Sequence, residues 1–381
     1  MSTYLPVDVL LEILSKLPPK SLLRFRSVCK YWLSLIGTPD FFSNNILNHS
    51  ILTTTTTPHQ LLLVKCTLES TPTALQTQTH SVLSYHTLSS ASQTPPYLPR
   101  GIKIVGSCNG LFCLFDHAAT DNIFIWNPAT SQLCSLPPAS FVDNVCFGFD
   151  PKRNEFKVVR IRYIAVCEPP VLQTNQGIQI LRLVRVSEVY SLNHGSSSWR
   201  KLIDDDDSLD GLTPNWAYAN GVCFWLAVCG VGNEKIVAFD VSDEVFRTTR
   251  LPDACIAVNY EKTFTVLNEL VAMIVFPSKE EDERFFDIWV LLEFGVKESW
   301  TRLVRIGSFS GLERPLGFWK KGELFMENRE GQLVLFDPFK RRVRNLQVDG
   351  VKGSLQVFVY TQSSVSIKGG VVLGEERYNN P

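Results

Sequence analysis

No stretch of this sequence holds the roughly 18 uninterrupted apolar residues that a membrane-spanning helix needs. No two cysteines form a Cys-x-x-Cys pair, and the six histidines are scattered, so the usual zinc patterns are missing. The ten cysteines therefore read as small buried hydrophobes kept reduced, and neither Cys108 with Cys113 nor Cys223 with Cys229 has the spacing of a disulfide framework. The formal net charge is only -1, so no global field draws in nucleic acid or an anionic membrane. A secretory signal is absent too: Asp8, Glu12 and Lys16 interrupt the first apolar run, and no small-residue cleavage site follows. No cofactor motif appears, so none is expected. These absences predict a soluble protein of the cytoplasm and/or nucleus.

What is present divides the chain unevenly. At 381 residues, 45% hydrophobic and 20% charged, it is long enough for one large domain and one small one. The small one is at the front, in "LPVDVLLEILSKLPPKSLLRFRSVCKYWLSLI", Leu5 to Ile36. Val9, Leu10, Ile13, Leu14 and Leu17 recur at helical spacing until Pro18-Pro19 ends the run. A second helix is predicted from an N-cap at Ser21, with Leu22, Phe25, Val28, Cys29, Trp32, Leu35 and Ile36 as its stripe and Gly37 as its stop. Thr38-Pro39 opens a third, carrying Phe41, Phe42, Ile46 and Leu47. Three short helices with such wide stripes cannot bury all their own apolar surface. A partner protein or the rest of the same chain must cover it.

The wording of this stretch resembles the F-box closely. Leu5-Pro6-Val7-Asp8, Glu12-Ile13-Leu14, Leu17-Pro18, Lys20-Ser21-Leu22, Arg24-Phe25-Arg26, Val28-Cys29-Lys30 and Trp32 fall where the family has them. Asn44-Asn45 stands where the family often has histidine. The resemblance implies docking onto the Skp-type adaptor of a cullin–RING ubiquitin ligase. The adaptor face it implies comprises Leu5, Pro6, Val9, Ile13, Leu14, Leu17, Pro18, Leu22, Val28 and Trp32.

After residue 48 a Thr-rich linker, 49–60, leads into a body with no helical periodicity. There one phrase recurs: a strand, a short turn, a second strand, then Leu-Pro or its equivalent. Its aromatic anchors are Tyr85, Trp126, Tyr190, Phe239, Trp289 and Phe336, spaced near 50 residues apart, as kelch-type propeller blades would be. Asn109-Gly110 and Asn220-Gly221 predict tight hairpin turns in the more apolar half of each repeat. The expected fold is an all-β kelch-like β-propeller over 61–362, of six blades with seven as the alternative and a β-sandwich as the rival. The late strand from Leu355 to Tyr360 would pair into the first blade, leaving 363–381 as a C-terminal tail. One long interval, from Trp126 to Tyr190, places an insertion of roughly 27 residues between Val159 and Glu188. Its Glu168, Pro169, Pro170, Gln173 and Asn175 are the candidate substrate contacts, in a long hairpin or a loop.

From about residue 100 to 350 the phrases "GSCNGLFCLF", "IWNPAT", "CFGFDPKRNEFKVVRI", "ANGVCFWL" and "FDVSDEVFRTTRLP" resemble the plant F-box-associated domain. That resemblance implies a substrate receptor: no catalysis, an adaptor on the front, a protein substrate on the propeller, no nucleic acid and no membrane. The alternatives are a kelch-type lectin or enzyme whose front packs internally, or an F-box scaffold outside degradation. Nothing favours catalysis, since His117 and His194 have no neighbouring ligand pattern. Asp150 and Asp337, each before proline, read as turn initiators. The acidic run Asp204–Asp207 and the basic run Lys340-Arg341-Arg342 read as solvated loops. Trp199 and Trp300 read as blade-packing residues, while Trp216, Tyr218, Phe318 and Trp319 are less regular, candidates for lining a ring face with no substrate contact assigned.

Overall fold

The computed structural model describes residues 6–15, 25, 28–36 and most of 60–372; outside it lie 91–101, 168–180, 203–210 and some shorter stretches. Among the described residues two helices, α1 (Val7–Ser15) and α2 (Lys30–Ile36), precede 24 strands in six sheets. The predicted second helix does not run unbroken. Phe25 is helical, but Val28 is in a turn and Cys29 lies outside any helix. The Val28 N–H bonds back to the Phe25 carbonyl at 3.1 Å, and the Cys29 sulfur then accepts the Trp32 N–H at 3.4 Å, acting as a cap for α2. The predicted Ser21 cap and third helix fall outside the described residues, as does the Thr-rich linker through residue 59.

The first sheet joins β1 (Gln60–Ser70) and β2 (Leu75–Ser84) to a strand from far along the chain, β23 (Gln356–Thr361), in the order β2–β1–β23. The next four-strand set is β3 (Ile102–Cys108), β4 (Leu111–Asp116), β5 (Asn122–Asn127) and β6 (Gln132–Ser135). There follow β7 (Asn144–Asp150), β8 (Glu155–Cys167), β9 (Leu181–Ser191) and β10 (Arg200–Lys201). The fourth sheet holds β11 (Gly211–Ala219), β12 (Val222–Cys229), β13 (Asn233–Asp240) and β14 (Val245–Arg250). The fifth holds β15 (Tyr260–Leu267), β16 (Leu270–Pro277), β17 (Arg284–Leu291) and β18 (Trp300–Phe309). The sixth holds β19 (Leu312–Phe318), β20 (Leu324–Asn328), β21 (Gln332–Asp337) and β22 (Arg342–Asp349). Apart from the first, each sheet is an antiparallel meander in chain order, and β24 (Val371–Val372) adds a fifth strand beside β6.

The repeated phrase maps onto this order. Trp126, Tyr190, Phe239, Trp289 and Phe336 all lie on the third strand of their sheets. Tyr85 directly follows β2, which is also third when its sheet is counted from β23. A carboxylate or amide often closes the third strand: Asn127, Asp240 and Asp337 accept main-chain N–H groups two or three residues on, at 2.9, 2.9 and 3.0 Å. Asn109 (φ 47°) and Gly110 (φ 83°) make the β3–β4 turn, and Asn220 and Gly221 the equivalent β11–β12 turn. A β-carbon at Gly110 would also fall 2.5 Å from the Thr361 carbonyl oxygen, so glycine is required there twice over.

The chain divides into two compact units: residues 1–94 with 249–359, and 95–248 with 360–381. In the first, Ile274, Phe286, Ile288, Met326 and Phe336 build the core between the fifth and sixth sheets. In the second, Phe147, Val158 and Ile125 fill one core, and Trp225, Val237 and Phe239 another. The stretch from residue 363, expected as a tail, belongs to the second unit. Asn127 donates to the carbonyls of Ser363 and Val365 at 3.0 and 2.7 Å, Ile367 is buried, and β24 pairs with β6. The buried amide of Asn127 needed two acceptors, and this returning chain supplies them.

Candidate functional site

The front helix carries two apolar stripes about 100° apart, and they meet different fates. Leu10 and Leu14 enter the core between the fifth and sixth sheets, where Leu14 is only 1% exposed. Leu11, Phe25, Trp32 and Leu35 pack beside them, with the Phe25 and Trp32 rings edge to face at 5.3 Å. Val9 and Ile13 point away, Ile13 being 47% exposed, and Val28 and Tyr31 are open as well. The expected adaptor face is therefore split. Pro6, Val9, Ile13 and Val28 are exposed, Trp32 is half-buried, and Leu14 is covered by this chain's own sheets. Leu5, Leu17, Pro18 and Leu22 lie outside the described residues, as do Glu168, Pro169, Pro170, Gln173 and Asn175.

The insertion between Trp126 and Tyr190 is a long hairpin. β8 and β9 pair from Lys157↔Ser191 out to Cys167↔Leu181. β7 stops pairing at Asn144↔Ile161, so both arms extend past its start.

At that same end of the second unit lies a half-open cavity of about 490 Å³. It is lined where β3, β7 and β11 begin, by Val105, Phe115, Val145, Leu212, Trp216 and Tyr163 of β8, with Lys103, Asp143 and Asn144 as polar members. Its walls are fixed by hydrogen bonds. Asn144 donates to the Leu212 carbonyl at 3.3 Å, the Tyr163 hydroxyl accepts the Leu212 N–H at 2.9 Å, and Asp143 accepts the Tyr163 N–H at 2.7 Å. The Trp216 indole lies on Gly106, where an added β-carbon would sit 2.7 Å from the ring. Partial burial lowers the Lys103 ammonium from the ordinary lysine value, and no carboxylate among the described residues pairs with it.

Elsewhere in the second unit, Asp150 does more than initiate a turn. It accepts Lys157 Nζ at 2.8 Å, Ser242 Oγ at 2.6 Å and Arg153 at 3.0 Å, besides the Lys152 and Arg153 N–H groups. Lys157, only 1% exposed, also meets Glu244 at 3.0 Å, Glu155 at 3.4 Å and the Val241 carbonyl at 3.0 Å. Burial on its own would raise the Asp150 carboxyl, but the hydrogen bonds from Lys157, Ser242 and Arg153 hold it well below the usual carboxylate range. Sequence reasoning missed this nest, although a lysine two residues from a glutamate on an apolar strand, "EFKVV", was the available signal.

The first unit has a smaller cavity of about 240 Å³, lined by Arg284, Glu313, Arg314, Glu327 and Lys352 among others. Arg284 meets Glu313 at 3.0 Å, and Arg314 meets Glu327 at 2.6 Å. Arg284 Nε is buried without a hydrogen-bond partner among the described residues. Trp199 and Trp300 are packing residues as expected: Trp199 donates to the Pro137 carbonyl at 2.9 Å under the Arg160 guanidinium, and Trp300 is buried. Trp319 is also structural, donating to the Tyr85 carbonyl at 3.0 Å. Arg341 has a positive φ in an exposed hairpin turn, which makes the basic run a solvated loop. No group of His, Cys, Asp and Glu side chains among the described residues could hold a metal ion.

Comparison with known proteins accounts for both parts. Residues 3–44 match the F-box domain, and residues 52–366 match the F-box associated beta propeller domain. F-box protein At3g07870 of Arabidopsis thaliana is 28% identical, over 93% of this chain and 90% of its own length. F-box/kelch-repeat protein At3g23880 of the same plant is 26% identical over 95% of each chain, and F-box protein CPR1 25% identical over 95% of this chain and 88% of its own. The six sheets are thus the six blades of an all-β propeller, and the helices before them are an F-box. The chain belongs to the family of F-box proteins that carry an F-box-associated β-propeller.

Proposed function

We propose that this chain is the substrate-recognition subunit of a Skp–cullin–F-box ubiquitin ligase, acting in the cytoplasm and/or nucleus. The F-box holds the adaptor, and the propeller holds a protein destined for ubiquitination. Its contribution is proximity: tethering the substrate turns ubiquitin transfer from a bimolecular encounter into a nearly intramolecular step, with the chemistry done by other subunits. The observation that carries the reading is the open stripe of Val9 and Ile13, with Val28 and Tyr31, on a segment that matches the F-box. Large side chains left open in this way are a standing drive toward a partner.

The split of α1 sharpens the test. Co-purification of the full chain with a Skp-type adaptor is expected to give a 1:1 complex. Val9→Asp with Ile13→Asp is expected to abolish it while leaving thermal unfolding of the propeller unchanged, because both side chains are exposed. Leu14→Ala is expected to loosen α1 from the sheets, at a cost of about 2–5 kcal/mol to that packing. A wild-type chain that forms no complex would refute the receptor reading.

A further inference from the structure

We propose that the 490 Å³ cavity of the second unit is the substrate-docking pocket, and that it takes a linear peptide segment with a bulky apolar side chain beside an acidic residue. The proposal rests on the receptor reading above and adds to it the place and the chemistry of recognition.

The apolar part follows from the lining. Val105, Phe115, Val145 and Leu212 are buried, and Trp216 offers a half-buried indole as the floor. A concave site of several hundred Å³ with apolar walls and few polar groups is the usual form of a recognition pocket, and aromatic residues dominate binding energy at such places. The floor is held in advance by contact with Gly106, and the walls by the bonds of Asn144, Tyr163 and Asp143. Little ordering is left to be done on binding.

The acidic part follows from which polar groups remain available. The Asp143 carboxylate already accepts a main-chain N–H, and the Asn144 amide and Tyr163 hydroxyl are tied to Leu212. Asp143 keeps its charge but is engaged by the Tyr163 N–H, whereas the Lys103 ammonium has neither hydrogen bond nor ion pair among the described residues, so the group it would hold is a carboxylate. A peptide fits better than an enclosed small molecule because the cavity is half-open. It lies beside the arms of the β8–β9 hairpin that extend beyond β7.

The test uses a phage-displayed library of short random peptides, panned on the immobilised full chain with and without its adaptor. Enriched peptides are expected to share Trp, Phe, Tyr or Leu adjacent to Asp or Glu. Trp216→Ala is expected to weaken their binding about tenfold or more. Lys103→Glu, at an exposed position, is expected to keep the fold and to shift the neighbouring preference from acidic to basic. A swap of preference cannot come from lost stability. Absence of enrichment, or enriched peptides indifferent to both substitutions, would overturn the pocket while the adaptor complex stands. Peptide selection through Trp216 on a chain that binds no adaptor would instead sink the receptor reading and leave the pocket.

Discussion

The two units bury charge in different ways. In the second, Lys157 is surrounded by Asp150, Glu155 and Glu244 and by the Val241 carbonyl, so the buried ammonium is met on every side. In the first, the Arg284 guanidinium meets both the carboxylate and the carbonyl of Glu313, yet its Nε finds no hydrogen bond among the described residues and the group faces a cavity. Glu313 has further cations at hand, Arg329 at 3.4 Å and Lys352 at 3.7 Å. A closed nest tolerates no missing member, because removing one leaves an uncompensated charge in a low-dielectric interior. An open nest with spare partners can rearrange and admit water. The same ingredients thus make a rigid lock in one place and an adaptable lining in the other.

The largest expected effect comes from breaking the lock. Lys157→Met should destabilise the second unit by about 3–5 kcal/mol in guanidinium unfolding, since three carboxylates lose their shared cation. A loss within experimental error would show that water already reaches this nest. Arg284→Met should cost the first unit only about 1–2 kcal/mol, because Arg329 and Lys352 remain near Glu313. Equal losses for the two variants would erase the distinction between them.

Acid supplies a graded perturbation and separates the units by pH. His80 lies on β2 directly opposite Lys65 on β1, and burial, with the Lys65 charge adding to it, lowers its imidazole to about 4. Between pH ~6.5, the ordinary histidine value, and about 4, the unfolded chain takes up a proton that the folded chain refuses. First-unit stability should therefore fall across that window and level off below it. Asp150 works in the same sense but in a lower window. Its contribution is complete above the ordinary carboxylate value of ~3.9 and is lost only as pH drops below that. Peptide-resolved hydrogen exchange near pH 5 should show the first unit loosened and the second intact. His80→Gln should remove the first unit's response, and a response that persists would assign it to other groups.

The sequence carried the repeat and the count of six blades, because both depend on local patterns, and the need to close the ring of repeats then assigned the late strand to the first hairpin. Turn pairs such as Asn109-Gly110 and the aromatic anchors announce themselves at short range. What it could not carry was long-range. The periodicity of α1 places Leu10 and Leu14 on one stripe and Val9 and Ile13 on another, but nothing local says which stripe the sheets will claim. The break before α2 was hidden because Val28 and Cys29 continue the helical pattern of the residues around them. Ile367 looked like part of a tail because the acceptors that hold the chain there answer Asn127, far away in sequence. The cavity was equally illegible: Trp216 acquires its position from Gly106, on a different sheet.

The partnership of β23 with β1 also sets a timetable. While the chain is being made, β1 and β2 emerge early as a hairpin, and the third member of their sheet is among the last strands to appear. Until then one edge of β1 has its hydrogen-bonding groups unanswered, and such an edge invites pairing with other chains. Joining ends so far apart also makes closure a slow, non-local step. Ribosome stalling or premature termination anywhere before Gln356 would release a chain with that edge still open, and so the abundance of this protein in a cell should depend on chaperones that shield it during synthesis.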